Sequence, residues 1–384
     1  TLIGPMGTEQ GGTLLGSYNW GFWARADPGT LALTASAVIP LRRPAEGHIQ
    51  AYGSYAGDLN GDGYPDLMIP NEITNDIRVL LNDGSGDYSG MTTYAIPGGA
   101  RPSTNEGADF DDDGLTDFAV GNSGGALMTV FRGTGGGTFV HMGNYQGGQG
   151  IRGLCVLDLD GDGDVDVVTA NRVGGAGNGD VSLFINDGSG RFGPGLALET
   201  GSSGETACAA ADADGDGILD IFIGAIHSRE MVLLTGDGQG NLPVRRRIPA
   251  GGGPWMVAVG DVDGDGAVDV VSANFDDNTV SVILGDGAGG MTLAMNYAVG
   301  SNPIAIDLGD IDGDGDLDLV ASNFGDATWT VLENDGLGRF GNSRTLNASS
   351  AGSCAVLVDI DNDGDLDMVG IDEIDDLLFV FRNQ

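Results

Sequence analysis

From residue 30 onward, short apolar runs alternate with turns rich in Gly, Asn and Asp, and the pattern returns every 49 to 54 residues. A fixed period of this length points to a propeller or a solenoid. The fifth unit serves as the type. Trp255–Gly260 alternates and predicts a first strand. A nine-residue polar loop, 261–269, follows. Val270–Ala273 predicts a second strand, Asn274–Asn278 a turn, and Thr279–Leu284 a third strand. Gly285-Asp286-Gly287-Ala288-Gly289 is a hairpin signal, and Met291–Val299 predicts a fourth strand. Four short antiparallel strands make one propeller blade.

The pattern predicts an all-β chain with one domain over residues 30–384, a seven-bladed β-propeller of four-stranded blades. The blades are expected near 47–98, 99–146, 147–200, 201–249, 250–298, 299–347 and 348–384. The last unit reaches only its third strand, Leu377–Arg382, before the sequence stops. Thr30–Pro40 reads as an orphan fourth strand behind the turn Asp27-Pro28-Gly29. The expected solution is ring closure, with residues 30–41 completing the last blade and leaving no long open edge. Ala35 is then expected to face Phe379 or Val380. Residues 1–29 fit no unit. They read as an arm with an aromatic cluster, Tyr18, Trp20, Phe22 and Trp23, either packed on the propeller or serving a partner.

The polar loop after each first strand is the most regular feature. Its first position is Asp58, Asp109, Asp158, Asp212, Asp261, Asp310 or Asp359. The third is Asn60, Asp111, Asp160, Asp214, Asp263, Asp312 or Asp361, and the fifth is Asp62, Asp113, Asp162, Asp216, Asp265, Asp314 or Asp363. The ninth is Asp66, Asp117, Asp166, Asp220, Asp269, Asp318 or Asp367. Position six is always Gly, and position four is Gly, Asp or Asn, the residues that tolerate a left-handed backbone. Position seven varies freely through Tyr64, Leu115, Asp164, Ile218, Ala267, Asp316 and Asp365, which suits a ligand supplied by the backbone carbonyl. Hard Ca²⁺ takes six to eight oxygens at flexible distances, and short carboxylates on a tight loop supply them. The loops therefore read as about seven structural calcium cages, with positions one, three, five, seven and nine as ligands. An EF-hand is excluded, because its bidentate Glu falls at position twelve between two helices.

These loops, the apolar strands after them, the Asn-Asp-Gly and Gly-Asp-Gly turns, and the pairs Phe192-Gly193 and Phe340-Gly341 resemble the FG-GAP/VCBS repeat family. That family includes the calcium-binding propeller of integrin α chains. The resemblance covers residues 30–384 and implies calcium on the bottom face, between strands one and two. The Gly-Ala-Pro half of the family name is absent, as is any Arg-Gly-Asp, so the resemblance leaves the partner class open.

Composition narrows the function. The net charge is −40, and a full set of calcium ions leaves the chain acidic. That argues against nucleic acid and anionic membrane as partners. All 16 basic residues are Arg, which removes lysine Schiff-base chemistry. Cys155, Cys208 and Cys354 match no zinc or redox spacing. They read as buried small hydrophobes, one disulfide being the less favoured alternative. No apolar run reaches the ~18 residues of a membrane span. Thr1 in place of Met fits a processed N-terminus, and sites of moderate affinity suit millimolar external calcium. An extracellular, cell-surface or periplasmic location is expected on that ground.

Function is expected where the repeats differ, on the face opposite the loops. Six residues before each loop stand Tyr52, Ser103, Arg152, Thr206, Trp255, Ile304 and Ser353, expected to ring the upper mouth of the channel. The turn between strands two and three begins with Asn71, Asn122, Asn171, Ala225, Asn274, Asn323 or Asp372, read as a turn residue. Nearby stand the irregular Arg172, His227, Arg229, Phe275 and Phe324. Tyr52, Arg152, Arg172, His227, Trp255, Phe275 and Phe324 are the candidate ligand residues, able to stack a sugar or grip a peptide. The leading reading is a binding or adhesion module for a glycan or an extracellular protein. A sugar-modifying or polysaccharide-lyase-type enzyme and a spacer in a larger surface assembly are the alternatives. An enzyme should join a His or Tyr to an Arg, and a spacer should show a bland top face with an apolar side patch.

Overall fold

The computed structural model describes residues 31–88, 90–173 and 180–383. Seven four-stranded antiparallel sheets make up nearly all of it. Within the first six sheets the strands run in chain order from the inside out, and the seventh takes its outermost strand from residues 34–40. The innermost strands are Tyr55–Gly57, Pro102–Ala108, Ile151–Leu157, Glu205–Ala211, Pro254–Gly260, Pro303–Gly309 and Gly352–Val358. Each touches the next, and the seventh touches the first, so they line one closed ring. The chain is a seven-bladed β-propeller.

Every second strand is buried along its whole length, from Asp66–Asn71 to Asp367–Asp372, and reads as a mostly apolar run behind the loop's last Asp. The core lies between blades. One cluster joins Leu67 and Ile69 of the first blade to Val369, Ile371 and Val380 of the last. Each blade thus buries its faces against its neighbours, as repeats that cannot bury an apolar face alone must do.

The ring closes as expected. Thr34–Pro40 pairs antiparallel with Leu377–Arg382 and is the outer strand of the seventh blade. The register differs from expectation: Ala35 stands opposite Phe381, and a bulge between Ala35 and Ala37 shifts the pairing. Such a bulge inserts one unpaired residue, here Ser36, which alternation alone does not reveal. Leu33, just before this strand, packs with Trp329, Phe379 and Phe381. The aromatic cluster Tyr18–Trp23 and the Asp27-Pro28-Gly29 turn lie outside the described residues.

The cysteines need a correction. Cys155 and Cys208 form a disulfide with a Cα–Cα distance of 5.6 Å, while Cys354 is free and buried. The two partners lie on innermost strands of adjacent blades, where the sheets converge. Gly153 permits the approach, since a Cβ there would sit 2.7 Å from the Cys208 backbone nitrogen. A sequence separation of 53 is set by the blade repeat and matches no local motif.

Candidate functional site

The acidic loops and the third-to-fourth-strand hairpins share one face of the ring, and the opposite ends of the strands form the other. Each loop is folded by its own carboxylates. The position-one Asp accepts the N–H of the Gly at position six in all seven loops, at 2.8–3.1 Å. That Gly has φ between 83° and 99° in every loop. Position four is also left-handed, including Asp112 at 56° and Asn362 at 57°. The position-five Asp accepts the N–H of position seven in each loop, which turns the position-seven carbonyl without using its side chain.

The position-nine Asp has a second role that the motif does not announce. One oxygen accepts the N–H of loop position two. The other accepts an N–H at the end of the third strand, from Asn82, Gly133, Asn186, Gly236, Gly285, Asn334 or Asn383. It therefore ties the loop to the hairpin beside it.

The donor set fits a divalent cation. In loops two to six, one oxygen from each of three carboxylates lies within 4.8 Å of the others, as at Asp158, Asp160 and Asp166. Buried Oδ1 atoms of Asp111, Asp160 and Asp310 have no hydrogen-bond partner. Burial pushes the position-nine carboxyls up to about 6 at Asp66, Asp220, Asp269 and Asp367. It pushes Asp117, Asp166 and Asp318 up to about 7. A nearby cation favours the charged form of such groups and offsets the cost of burying them. Hard oxygen donors without His or Cys suit calcium rather than zinc or copper.

On the opposite face, three of the residues standing six before the loops reach across the ring. Trp255 Nε1 donates to the Tyr52 hydroxyl at 2.9 Å, joining blades five and one. The Arg152 guanidinium of blade three lies 4.9 Å from the Tyr52 ring centre and 5.7 Å from that of Trp255. The smaller members of this tier act differently. Ser103, Thr206 and Ser353 place their hydroxyls on backbone carbonyls of the next blade, at Ile151, Pro254 and Tyr52. Ile304 is buried.

A second tier comes from the residue just after the recurrent Asn. Arg172 lies 4.9 Å over the Trp255 ring, and Phe275 packs against the same indole at 5.1 Å, tilted by 32°. Glu72 and Glu373 occupy the matching places in blades one and seven and are buried. Arg152 Nη1 is 3.0 Å from Glu72 Oε1, yet off the hydrogen-bond line, so charge and ring faces hold it. Glu72 also pairs with Arg101 at 2.6 Å, and Glu373 accepts a bond from Gln50 at 2.8 Å. Burial pushes Glu373 up to about 7 and raises Tyr52 above its ordinary value.

Five expected residues thus meet: Tyr52, Arg152, Arg172, Trp255 and Phe275. His227 does not join them. It is exposed, one position beyond the second tier, and its ring lies over Gly204. Phe324 is half-buried in a 3₁₀ turn, Phe324–Asp326, against the innermost strands of blades six and seven. Sequence reasoning missed Glu72 and Glu373. The available signal was their place directly after Asn71 and Asp372. The recurrent Asn is a turn residue as read: Asn274 donates to Thr279 and Ser281, and Asn323 to Thr328 and Thr330.

Among solved structures, BBS1N in complex with ARL6DN has a TM-score of 0.64 at 12% identity, covering 92% of this chain and 97% of that one. An Agrocybe aegerita lectin, titled for specific recognition of non-reducing terminal N-acetylglucosamine, has a TM-score of 0.53 at 21% identity. That match covers 78% of this chain and 81% of the lectin. A functionally unknown protein from Desulfotomaculum acetoxidans has a TM-score of 0.55 at 12% identity, covering 79% and 91%. At these identities the likeness shows the fold alone. The sequence itself matches the FG-GAP-like repeat model at residues 58–120, 109–169, 158–223, 226–272, 261–321 and 310–370. The chain belongs to the FG-GAP-like repeat family.

Proposed function

We propose that the chain is a calcium-stabilised extracellular binding or adhesion module that takes a glycan or protein ligand at the channel mouth opposite the acidic loops. The observation that carries this reading is the cluster of Tyr52, Arg152 and Trp255 drawn from three blades, flanked by Arg172 and Phe275. Aromatic faces beside guanidinium groups offer stacking and directed hydrogen bonds together, a usual mix for sugars and peptides. The similar propellers include one in a protein complex and one lectin, which supports both ligand classes. The buried carboxylate Oδ1 atoms that lack a hydrogen bond, at Asp111 and Asp160, support calcium, about seven ions by the motif count. The Cys155–Cys208 disulfide supports an oxidising compartment outside the cytosol. No helix among the described residues is long and apolar enough to cross a membrane. The mouth reading is the same for a chain that serves alone and for one within a larger surface assembly.

The enzyme reading has one point in its favour, since Tyr52 does meet Arg152. A general base, however, needs a pKa near the working pH, and burial moves Tyr52 the other way. The spacer reading asks for an apolar side patch. Exposed apolar residues such as Val140, Leu196, Val244 and Met295 sit on the outer strands of different blades, a scatter that favours binding at the mouth instead.

The test is an array of glycans and extracellular-matrix proteins probed with the calcium-loaded chain and with Trp255→Ala. Binding that is lost in the variant while its melting stays cooperative supports the mouth. Binding that the variant retains in full places the ligand elsewhere.

A further inference from the structure

The seven loops share a motif, but the residue at or next to the end of the third strand beside each loop varies. It is Leu81, Arg132, Ile185, Thr235, Leu284, Glu333 or Arg382, always directly before the N–H that holds the position-nine carboxylate. In the seventh blade this side chain enters the loop. Arg382 Nη1 is 2.6 Å from Asp367 Oδ2 and 2.8 Å from Asp361 Oδ2, the carboxylates at positions nine and three. The side chain is only 12% exposed. Its other nitrogen, Nη2, donates to the Ser85 carbonyl in the hairpin of the first blade at 2.7 Å. Gly86 lies against it, and a Cβ there would collide with Nη2. The guanidinium is thus seated, backed and hydrogen-bonded, across the seam between the last blade and the first.

The same seam carries two further bonds that involve no metal. Asn82 donates to the Ile360 carbonyl at 2.8 Å, and Asn362 to the Gly63 carbonyl at 2.9 Å. A guanidinium is always charged and offers only donors. Placed on two of the carboxylates that calcium would need, it supplies their countercharge and takes oxygen sites from the ion. The second blade holds a loose version of the arrangement: Arg132 Nη1 is 3.7 Å from Asp111 Oδ2, and its side chain is 43% exposed. Loop three has Ile185 in this place and no competing cation from it.

We infer that Arg382 takes the place of calcium in the seventh loop, so the blade that closes the ring is held by the chain's own cation and needs no metal. This inference rests on the reading that the other loops bind calcium.

The experiment counts calcium on the full chain by metal analysis and titration calorimetry, for the wild type, Asp160→Asn in loop three, Asp361→Asn in loop seven, and Arg382→Gln. Asp160→Asn is expected to lose one equivalent, and Asp361→Asn none. Arg382→Gln, which keeps a donor toward Ser85 but removes the charge, is expected to gain one. A loss of one equivalent in Asp361→Asn, with Asp160→Asn behaving as stated, overturns the inference and leaves the calcium reading intact. No bound calcium in the wild type overturns both. The two Asp→Asn variants decide the matter even where Arg382→Gln does not fold.

Discussion

The two faces of the ring are built on opposite plans. On one face the same nine-residue loop recurs seven times, with the same Gly φ and the same carboxylate-to-backbone bonds. On the other face the matching positions hold Tyr, Ser, Arg, Thr, Trp, Ile and Ser, and they do different things. Repetition spreads the stabilisation of the fold over many similar contributions, as in other repeat proteins whose stability is a sum over units. Once that is met, the mouth is free to differ from blade to blade. The small hydroxyls there staple neighbouring blades, while the three large side chains of blades one, three and five meet over the channel. The seventh blade breaks the repeat twice, by borrowing its outer strand and by placing Arg382 in its loop.

The largest expected effect comes from the repeated face. A ligand at 100 times its Kd adds about 2.7 kcal/mol per site. Several sites together then rival the ~5–15 kcal/mol that holds a typical domain. Excess chelator is expected to lower the melting temperature steeply and abolish ligand binding with it. A melting curve unchanged by chelator breaks the comparison, because the loops then hold the fold without an ion. Substituting one ligand alone, as in Asp314→Ala, is expected to do far less.

The next effect concerns closure. Removing residues 1–41 takes away Thr34–Pro40 and bares the strand Leu377–Arg382 with the apolar side chains Phe379 and Phe381. Exposed strand edges recruit other chains. Aggregation or loss of cooperative melting is expected by light scattering and calorimetry, whereas removing residues 1–26 is expected to cost much less. A monomeric 1–41 deletion that melts like the full chain would show that Arg382 and the Asn82 and Asn362 bonds close the ring unaided.

Much of this plan was legible because the repeat imposes fixed residue types. Asp at positions one and nine and Gly at position six are required by backbone bonds that recur in every blade, so they print the same letters seven times. Strand order and closure followed from counting. What was not legible arises where blades converge. The Cys155–Cys208 pair, the reach of Arg382 into its loop and the buried Glu72 and Glu373 all depend on neighbours brought together by the ring. The Ala35–Phe381 register turned on one bulged residue. The geometry of the mouth was half legible: the tier six before each loop contains Tyr52, Arg152 and Trp255, which do meet, while His227 fell one position beyond the second tier and stays apart.

A smaller effect is expected at the mouth. Trp255→Ala removes the indole on which Arg172 and Phe275 pack and to which Tyr52 is bonded. The ring is half-buried over the channel and not in a blade core, so a modest drop in melting temperature is expected, of about 1 °C for each kcal/mol lost in a chain of this size. Ligand affinity is expected to fall at least tenfold, about 1.4 kcal/mol. Equal and large losses in both would mean that the cluster is a plug and that the two faces do the same job.

The smallest effect separates the hydroxyl from the ring. Tyr52→Phe keeps the aromatic face under Arg152 and deletes the hydroxyl that accepts from Trp255 Nε1, 2.9 Å away. An ordinary hydrogen bond of this kind contributes about 1 kcal/mol net, and the half-buried indole N–H can turn to water once its partner is gone. The hydroxyl is turned toward Trp255, so it is spent on packing and leaves the ring and the guanidinium groups to meet a ligand. The variant is therefore expected to melt within about 2 °C of the wild type. Its affinity for the array-identified ligand is expected to fall by no more than about threefold, which corresponds to well under 1.4 kcal/mol. A tenfold loss of affinity with unchanged melting would put the hydroxyl on the ligand itself. The recognition surface would then extend from the outer tier, at Arg172 and Phe275, down into the first, and Tyr52 would have to be counted among its contacts.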